Sequence, residues 1–415
     1  MTPSCATWQG RGRPFPQPFE RMKILYHHRT ASRDGQSTHI DEMIRGLRAG
    51  GHSVVESSPQ ITGDSAAGGS PGWVGQLKAR LPKQAYELAE LAYSWVAYRR
   101  LADAIRHDRP DGIYERYNLY LLGGIWAKKR FGLPLILEVN APMAVERRQY
   151  GGLSWPRLAD WAELYVWKQA DVILPVTQVL ADYMVAKGID RERIHVIPNG
   201  INEDHYQQLP SVTQAKDKLG LGGRLVLGFT GFVREWDRLD RVMVWVARHA
   251  AQHIVHLLVI GDGPARAELA ACAAQLGVAD RLSFTGAVPR EQVPALSMAF
   301  DIALQTALVP YASPLCLFEY LALGKAIVAP DQPNHHEILS SGVDALLYDP
   351  ADPAGIEKAL DALCHDRALR ERIAAAASEL IARKRLTWRQ HACTVAGLFD
   401  RAGAVGVQPV ALPEP

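Results

Sequence analysis

Residues 313–329, SPLCLFEYLALGKAIVA, decide the fold of this chain. Ser-Pro suits the start of a helix, because the fixed φ of Pro fits the first turn. Gly324 suits its end, where a left-handed residue is common. Apolar side chains at i, i+3 and i+4 predict one buried helix face, made by Leu317, Tyr320 and Leu321. The apolar run Ile327–Ala329 then predicts a short, buried strand of a parallel sheet.

Glu319 lies in the first turns of this predicted helix, among apolar neighbours. A carboxylate at such a position is either solvated on the outer face or directed at a ligand. The stretch alone leaves both interpretations open, so the rest of the chain has to decide between them.

The composition favours a globular enzyme. A chain of 415 residues is long enough for about two or three domains. Its hydrophobic content of 48% and charged content of 22% are ordinary for such proteins. The net charge of +2 argues against a general nucleic-acid binder. The five scattered cysteines lack metal-ligand spacing, which predicts a reducing compartment without structural zinc or disulfides.

Targeting patterns in the sequence predict where the protein is located. The start of the chain has no apolar region like that of a signal peptide. No apolar run approaches the roughly 20 residues of a membrane-spanning helix. These patterns predict a cytoplasmic protein.

Strand and helix patterns alternate in two runs along the chain. Such alternation predicts an α/β fold with two doubly wound, Rossmann-like domains, each with a parallel sheet. The first run begins at Met22 and includes predicted strands at Leu133–Val139 and Ile194–Ile197. The second begins at Arg224 and includes a predicted helix at 290–298. The predicted parts are a flexible leader (1–21), a first domain (22–200), a second domain (201–385), a last helix (386–403) and a flexible tail (404–415).

Ligands of such sheets bind at the carboxyl ends of the strands. The turn Gly261–Pro264 follows a strand there, and its glycines either let the backbone approach a phosphate or simply make a tight turn. Arg234 follows another strand and can bind a phosphate or pair with a nearby acid. Asn140 and Thr177 also follow strands, where Thr177 suits a helix cap.

Together these segments resemble the retaining nucleotide-sugar glycosyltransferases of family 4, which have the GT-B fold: two Rossmann-like domains facing across a cleft. The resemblance spans nearly the whole chain from Met22. It rests on five motifs in order: Ile197–Ile201, Gly261–Pro264, Phe284–Gly286, Phe318–Lys325 and Leu386–Trp388. In this family the last motif opens a helix that crosses back to the first domain.

The resemblance implies a donor site on the second domain. Glu319 would bind the ribose hydroxyls, the backbone at 284–287 would hold the base, and the N-terminus of the 314–323 helix would face the diphosphate. The implied donor-binding residues are Gly35, Gly231, Arg234, Gly261, Gly263, Pro264, Thr285, Gly286, Ser313, Pro314, Leu315, Cys316, Leu317 and Glu319.

The chain departs from the family pattern at several positions. Tyr311 stands where the family often has a glutamate that contacts the donor sugar. Phe232, Asp237 and Cys316 stand where relatives carry basic residues at the diphosphate, although Arg234 and Arg238 are nearby and could substitute. Asn140 stands where a His is common; it can orient a sugar hydroxyl but cannot accept a proton as His does.

The implied reaction is transfer of a sugar from a nucleotide diphosphate sugar with retention of configuration. The acceptor would be a glycan, a lipid-linked sugar or a small molecule, and no metal or other cofactor is expected. The candidate catalytic residues are Asn140 and Arg234. The candidates for contact with acceptor or sugar are Glu115, Arg116, Asn140, Arg147 and Tyr311.

Two other functions stay open. One is a GT-B nucleotide-sugar epimerase, which would need an acid–base pair near the sugar. The other is a non-catalytic nucleotide-sugar-binding partner protein, which the lost basic residues would explain. A mixed apolar and basic segment at Trp73–Lys83 suits either peripheral contact with the inner membrane or an ordinary amphipathic helix.

Overall fold

The computed structural model describes residues 21–30, 35–59, 82–250 and 254–405. Within these ranges the chain forms two parallel sheets, which confirms the predicted α/β fold class. Nearly all of the predicted leader and of the predicted tail lies outside the described residues, and so does Trp73–Leu81. No helix in the described ranges is long and apolar enough to cross a membrane.

The first sheet has the order β2-β1-β3-β4-β5 and parallel pairing. Its strands are β1 (Lys23–His27), β2 (Ser53–Ser57), β3 (Gly112–Arg116), β4 (Leu135–Val139) and β5 (Val172–Pro175). Its helices are α1 (Gly35–Ala49), α2 (Lys83–Asp108), α3 (Gly123–Phe131), α4 (Met143–Glu146), α5 (Pro156–Gln169) and α6 (Gln178–Ala186), and a π-helical turn, Arg147–Gly151, extends α4. The strand order reverses beside β1, so the ends of β1 and β3 flank the crevice where such folds bind ligands.

The second sheet has the order β11-β10-β9-β6-β7-β8, again parallel. Its strands are β6 (Leu225–Thr230), β7 (Val255–Ile260), β8 (Leu282–Phe284), β9 (Ile302–Leu304), β10 (Ala326–Pro330) and β11 (Leu346–Tyr348). Its helices are α7 (Val212–Lys218), α8 (Leu239–His249), α9 (Arg266–Gln275), α10 (Val293–Ser297), α11 (Leu315–Ala322), α12 (Pro333–His336), α13 (Gly355–His365) and α14 (Arg367–Lys384). The reversal between β6 and β9 opens the second crevice.

Two predicted elements differ in the structure. The predicted strand Ile194–Ile197 is an extended segment whose N–H groups at His195 and Ile197 donate to β5. Pro175 of β5 has no N–H to donate in return, so the pairing does not become a regular strand. The predicted helix 290–298 begins instead as a 3₁₀ turn, Arg290–Gln292, and becomes α-helical only at α10.

The last helix, α15 (Trp388–Val405), packs on α1 of the first domain. A Cβ added at Gly46 of α1 would lie 2.9 Å from the Cβ of Ala392, so the two helices approach closely there. Just before α15 the chain runs beside the first crossover, because Ile201 N–H donates to Leu386 C=O and Trp388 N–H donates to Ile201 C=O. Two adjacent chain segments therefore join the domains.

Candidate functional site

Helix α11 brings Glu319 to the carboxyl edge of the second sheet. Pro314 caps the helix without a side-chain hydrogen bond to its first turn. Gly324 follows the helix with φ +58°, as a C′ glycine does. The hydroxyl of Tyr320 accepts a hydrogen bond from Thr230 N–H (2.8 Å), which ties α11 to the end of β6.

Glu319 is buried, with 6% of its surface exposed. Its Oε1 lies 3.2 Å from Nη1 of Arg290, the first residue of the turn after the β8 exit loop. Burial raises the pKa of Glu319, and the charge of Arg290 opposes that rise. This carboxylate is therefore held inside the protein by a guanidinium rather than solvated on the outer face of the helix.

The loops after β6 and β7 pack backbone against backbone. A Cβ at Gly261 would lie 2.0 Å from the carbonyl oxygen of Gly231, and one at Gly263 would lie 2.2 Å from that of Val233. These contacts leave no room for a side chain, so steric fit alone accounts for the glycines. A phosphate contact at Gly261 and Gly263 stays a prediction.

The loop after β8 joins the same layer. Gly261 forms an isolated bridge with Gly286, and its N–H donates to Thr285 Oγ1 (3.3 Å). Pro264, which is exposed, ends the Gly261–Pro264 turn after β7. The structure thus brings together the strand ends that the resemblance assigns to the donor nucleotide.

Arg234 lies between two exposed aromatic rings. Its guanidinium carbon is 5.1 Å from the ring centres of both Phe232 and Trp236. Its charge also lowers the pKa of Glu146, which burial raises, so Arg234 and this first-domain carboxylate influence each other across the cleft.

Asp237 and Cys316 have local partners. Asp237 Oδ2 accepts a hydrogen bond from the backbone N–H of Arg234 (2.8 Å), and burial raises its pKa to about 6. The thiol of Cys316 donates to Gln305 Oε1 (3.0 Å), and burial raises its pKa. Neither residue supplies the cation that the resemblance implies at the diphosphate.

The start of the α11 segment lies at the junction of the two domains. Asn199 donates its backbone N–H to Ser313 Oγ (3.0 Å), and its side-chain amide donates to Ser313 C=O (2.5 Å). Thr177 Oγ1 donates to the carbonyl of Tyr311 (3.0 Å). Leu315 packs against the first-domain core, whereas Leu317 is buried in the second domain. Tyr311 therefore lies at the junction, and its backbone is already engaged there.

In the first domain, Asn140 belongs to a cluster around Glu138. Its Nδ2 donates to Glu138 Oε1 (2.5 Å), and Tyr114 O–H donates to Oε2 (2.9 Å). Arg116 pairs with Oε1, and His39 Nε2 lies 3.1 Å from Oε2. Burial opposes ionisation of Glu138, but His39 and Arg116 together lower its pKa well below the usual range. Glu138 thus holds Asn140 at the cleft edge.

Two of the predicted acceptor residues have buried partners within the first domain. Glu115 is fully buried, and its Oε2 lies 2.5 Å from Nδ1 of His27. Arg116 is 8% exposed and is paired with Glu138. Both side chains end strand β3 but point into the domain, because the buried partners of each compensate its charge. Contact of either side chain with an acceptor stays a prediction.

Arg147 does lie partly exposed, on the turn after α4. Its Nη1 is 2.8 Å from Glu90, which also meets Arg29 (3.4 Å). Its guanidinium lies 5.8 Å from the ring centre of Tyr120. Gly35 begins α1, as a residue placed near the cleft would.

Sequence reasoning missed Arg290 and Glu138. A basic residue shortly after the β8 exit was visible in the sequence and was a signal for Arg290. Glu138 is the charged residue of the otherwise apolar strand β4, where a buried carboxylate needs partners. These include Tyr26 of β1, whose O–H donates to Oε2 (3.5 Å). The identity of its partners needed the fold, since they come from α1, β1 and β3.

Comparisons with known proteins agree with this geometry. Residues 34–200 match the family described as Glycosyl transferase 4-like domain, and residues 212–380 match Glycosyl transferases group 1. The chain is 26% identical over 329 residues to 2-deoxystreptamine N-acetyl-D-glucosaminyltransferase of Streptomyces fradiae, covering 74% of this chain and 76% of that protein. It is 31% identical over 205 residues to 2-deoxystreptamine glucosyltransferase of Streptomyces kanamyceticus, covering 44% of this chain and 49% of that protein.

The fold is similar to that of Anabaena HepE in complex with UDP and glucose. The TM-score is 0.68 at 18% identity, over 92% of this chain and 100% of that one. At this identity the likeness concerns the fold alone. Since two glycosyltransferase domains match the two sheets in order, and 92% of the chain superposes on this fold, the chain belongs to the glycosyltransferases with the GT-B fold.

Proposed function

We propose that this protein transfers a sugar, with retention of configuration, from a nucleoside diphosphate sugar to an acceptor held by the first domain. The observation that carries the proposal is Glu319, a buried carboxylate at the carboxyl edge of the second sheet. A carboxylate there can accept hydrogen bonds from both hydroxyls of a ribose. The α11 N-terminus, which has no side-chain cap, suits the adjoining diphosphate.

The chemistry then depends on stabilising the leaving diphosphate. Negative charge develops on it as the glycosidic bond stretches, and fixed donors nearby lower the barrier. Arg234 and the first-turn amides of α11 are the groups that we assign to this role. The leaving phosphate oxygen takes the proton of the acceptor hydroxyl on the same face of the sugar, so no protein nucleophile is required.

Asn140 would orient a sugar hydroxyl from the first domain. Its amide is already held by Glu138, so it needs little further ordering to act. Arg147, with Glu90, would line the acceptor side. Two of the relatives are named for transfer to 2-deoxystreptamine and another for D-inositol 3-phosphate. We therefore propose a polyhydroxylated acceptor, met in the cytoplasm or at the membrane surface.

A second candidate is a nucleotide-sugar-binding partner protein without catalytic activity. It is favoured by one observation: Asp237 and Cys316 are both engaged in local hydrogen bonds where relatives have cations. Such a protein would bind the nucleotide but form no product.

The test begins with thermal-shift and calorimetric titrations of UDP, GDP, ADP and dTDP, each with and without magnesium. The native protein should bind one of them and gain stability by mass action, whereas Glu319→Ala should lose most of that shift. Glu357→Ala, which removes a carboxylate that pairs with Arg248 on the far helices, is the matched control and should bind as native. No binding by the native protein would overturn the proposal.

Product assays then separate the two candidates. The sugar donors of the nucleotide that binds are offered with soluble polyols and with vesicles that carry lipid-linked sugars. Product with retained configuration supports the transferase, and product only on vesicles supports contact with the membrane. Binding without any product supports the non-catalytic partner.

A further inference from the structure

Arg290 lies beside Glu319, the carboxylate that the proposed function assigns to the ribose hydroxyls. Its Nη1 lies 3.2 Å from Glu319 Oε1, and the two side chains are only 28% and 8% exposed. A guanidinium is always charged and has a rigid set of donors. Glu319 therefore has a fixed cation beside it before any nucleotide arrives.

Part of the guanidinium remains unused. Its Nε is buried and has no hydrogen-bond partner in the described part of the chain. A buried N–H without an acceptor destabilises the protein. A ligand oxygen that accepted this hydrogen bond would remove the cost. The unpaired Nε–H therefore favours a polar ligand at this position.

The surroundings leave Arg290 as the compensating charge. Burial raises the pKa values of Tyr206, Cys316 and Tyr320, and the charge of Glu319 adds to the rise at each, so all three stay neutral near pH 7. Burial and the charge of Glu56 raise the pKa of Asp41 in the first domain, and Arg45, His28 and Arg290 oppose that rise. Within the described ranges, Arg290 is the cation that acts on Glu319.

We propose, resting on the proposed donor function, that Arg290 is a nucleotide-binding residue. It keeps Glu319 ionised so that both carboxylate oxygens can accept from the ribose diol, and its Nε–H donates to an oxygen of the same nucleotide. Arg290 thereby supplies a cation to the donor site, whereas Phe232, Asp237 and Cys316 supply none.

The test measures the dissociation constants of UDP and 2′-deoxy-UDP by calorimetry between pH about 6 and about 8.5. If another nucleotide binds the native protein better, that ribonucleotide and its 2′-deoxy form are used. The variants are Arg290→Met, Arg290→Lys and, as the control, Arg248→Met, whose arginine pairs with Glu357 on the surface.

Arg290→Met should bind the ribonucleotide about tenfold more weakly at the lower pH, with most of its preference for the 2′-hydroxyl lost. The affinity of this variant and its preference for the 2′-hydroxyl should both partly recover as the pH rises, because Glu319 without its cation ionises only at higher pH. Arg290→Lys should keep the flat pH profile and the 2′-hydroxyl preference but bind a few-fold more weakly. Arg248→Met should behave as native.

Two outcomes distinguish a failure of the proposed role of Arg290 from a failure of the proposed donor function. If native protein and Arg290→Met bind the ribonucleotide equally with parallel pH profiles, the role of Arg290 is overturned while the donor function stands. If the native protein binds none of the nucleotides, the proposed function fails first. Should Arg290→Met not fold, a Lys variant with a pH-dependent loss of the 2′-hydroxyl preference would overturn the inference by itself.

Discussion

Glu163 of α5 is a buried carboxylate that lies away from the donor site. It is 4% exposed, and its Oε2 accepts hydrogen bonds from Tyr117 O–H (3.0 Å) and Ala144 N–H (3.1 Å). Burial outweighs these bonds and raises its pKa to about 7. Because the folded-state pKa is raised, its contribution to stability is fully present below pH about 4.5 and is lost as the pH rises through about 7.

We therefore expect Glu163→Gln to gain stability relative to the native protein as the pH rises. The difference in unfolding free energy should shift in favour of the variant by on the order of 3 kcal/mol between pH about 4.5 and about 8.5. Urea unfolding at several pH values measures this difference. Parallel pH profiles for the two proteins would show that folding does not shift the pKa of Glu163.

At the scale of elements, the exits of β6 and β7 depend on glycine. Gly261 has φ +136°, and its Cα faces the carbonyl of Gly231, so both its conformation and its surroundings exclude a side chain. Gly277, which follows α9, has φ +71° but nothing within 4 Å of an added Cβ. A side chain at Gly277 therefore meets backbone strain alone, whereas one at Gly261 meets strain and a backbone clash together.

Gly277→Ala should cost only the strain of a left-handed alanine, about 1 kcal/mol. Gly261→Ala should cost about 3 kcal/mol or more, since the loops must also move apart. It should weaken nucleotide binding as well, because the displaced loops border the proposed donor site. Denaturant unfolding of both variants gives the comparison, and equal costs would mean that the two loops separate freely.

At the scale of the whole molecule, Glu337 of the second domain caps a helix of the first. Its Oε2 accepts from Gln178 N–H (2.8 Å) and its Oε1 from Val179 N–H (3.1 Å), both at the start of α6. Negative charge at a helix N-terminus is stabilising. Opening of the cleft at this point must break the cap, so Glu337 couples domain position to the local order of α6.

Glu337→Ala should expose these two amides and cost about 1 kcal/mol. Hydrogen exchange should become faster at the start of α6 and stay native-like in α5. Glu357→Ala, whose carboxylate lies on α13 and caps no helix of the first domain, is the control. Unchanged exchange at Gln178 and Val179 would show that α6 does not need the second domain.

Sequence alone predicted what depends on neighbours along the chain. The α11 segment has its apolar spacing, its Pro start and its Gly324 end within one short stretch, so helix, loop and strand followed from local rules. The alternation of strands and helices predicted two parallel sheets in the same way. The prediction of a strand at Ile194–Ile197 was wrong, because Pro175 of the neighbouring strand β5 limits the pairing.

Only the tertiary structure decided which charges meet. Arg290 pairs with Glu319, and Glu337 accepts a hydrogen bond from α6, which is 159 positions away in sequence. The partners of Glu138 come from three elements. Glu115 and Arg116 point inward for the same reason, since each found a buried partner. Helices and turns form from residues within a few positions of each other. The compensation of a buried charge depends instead on which surfaces the topology brings together, and composition and spacing carry no record of that.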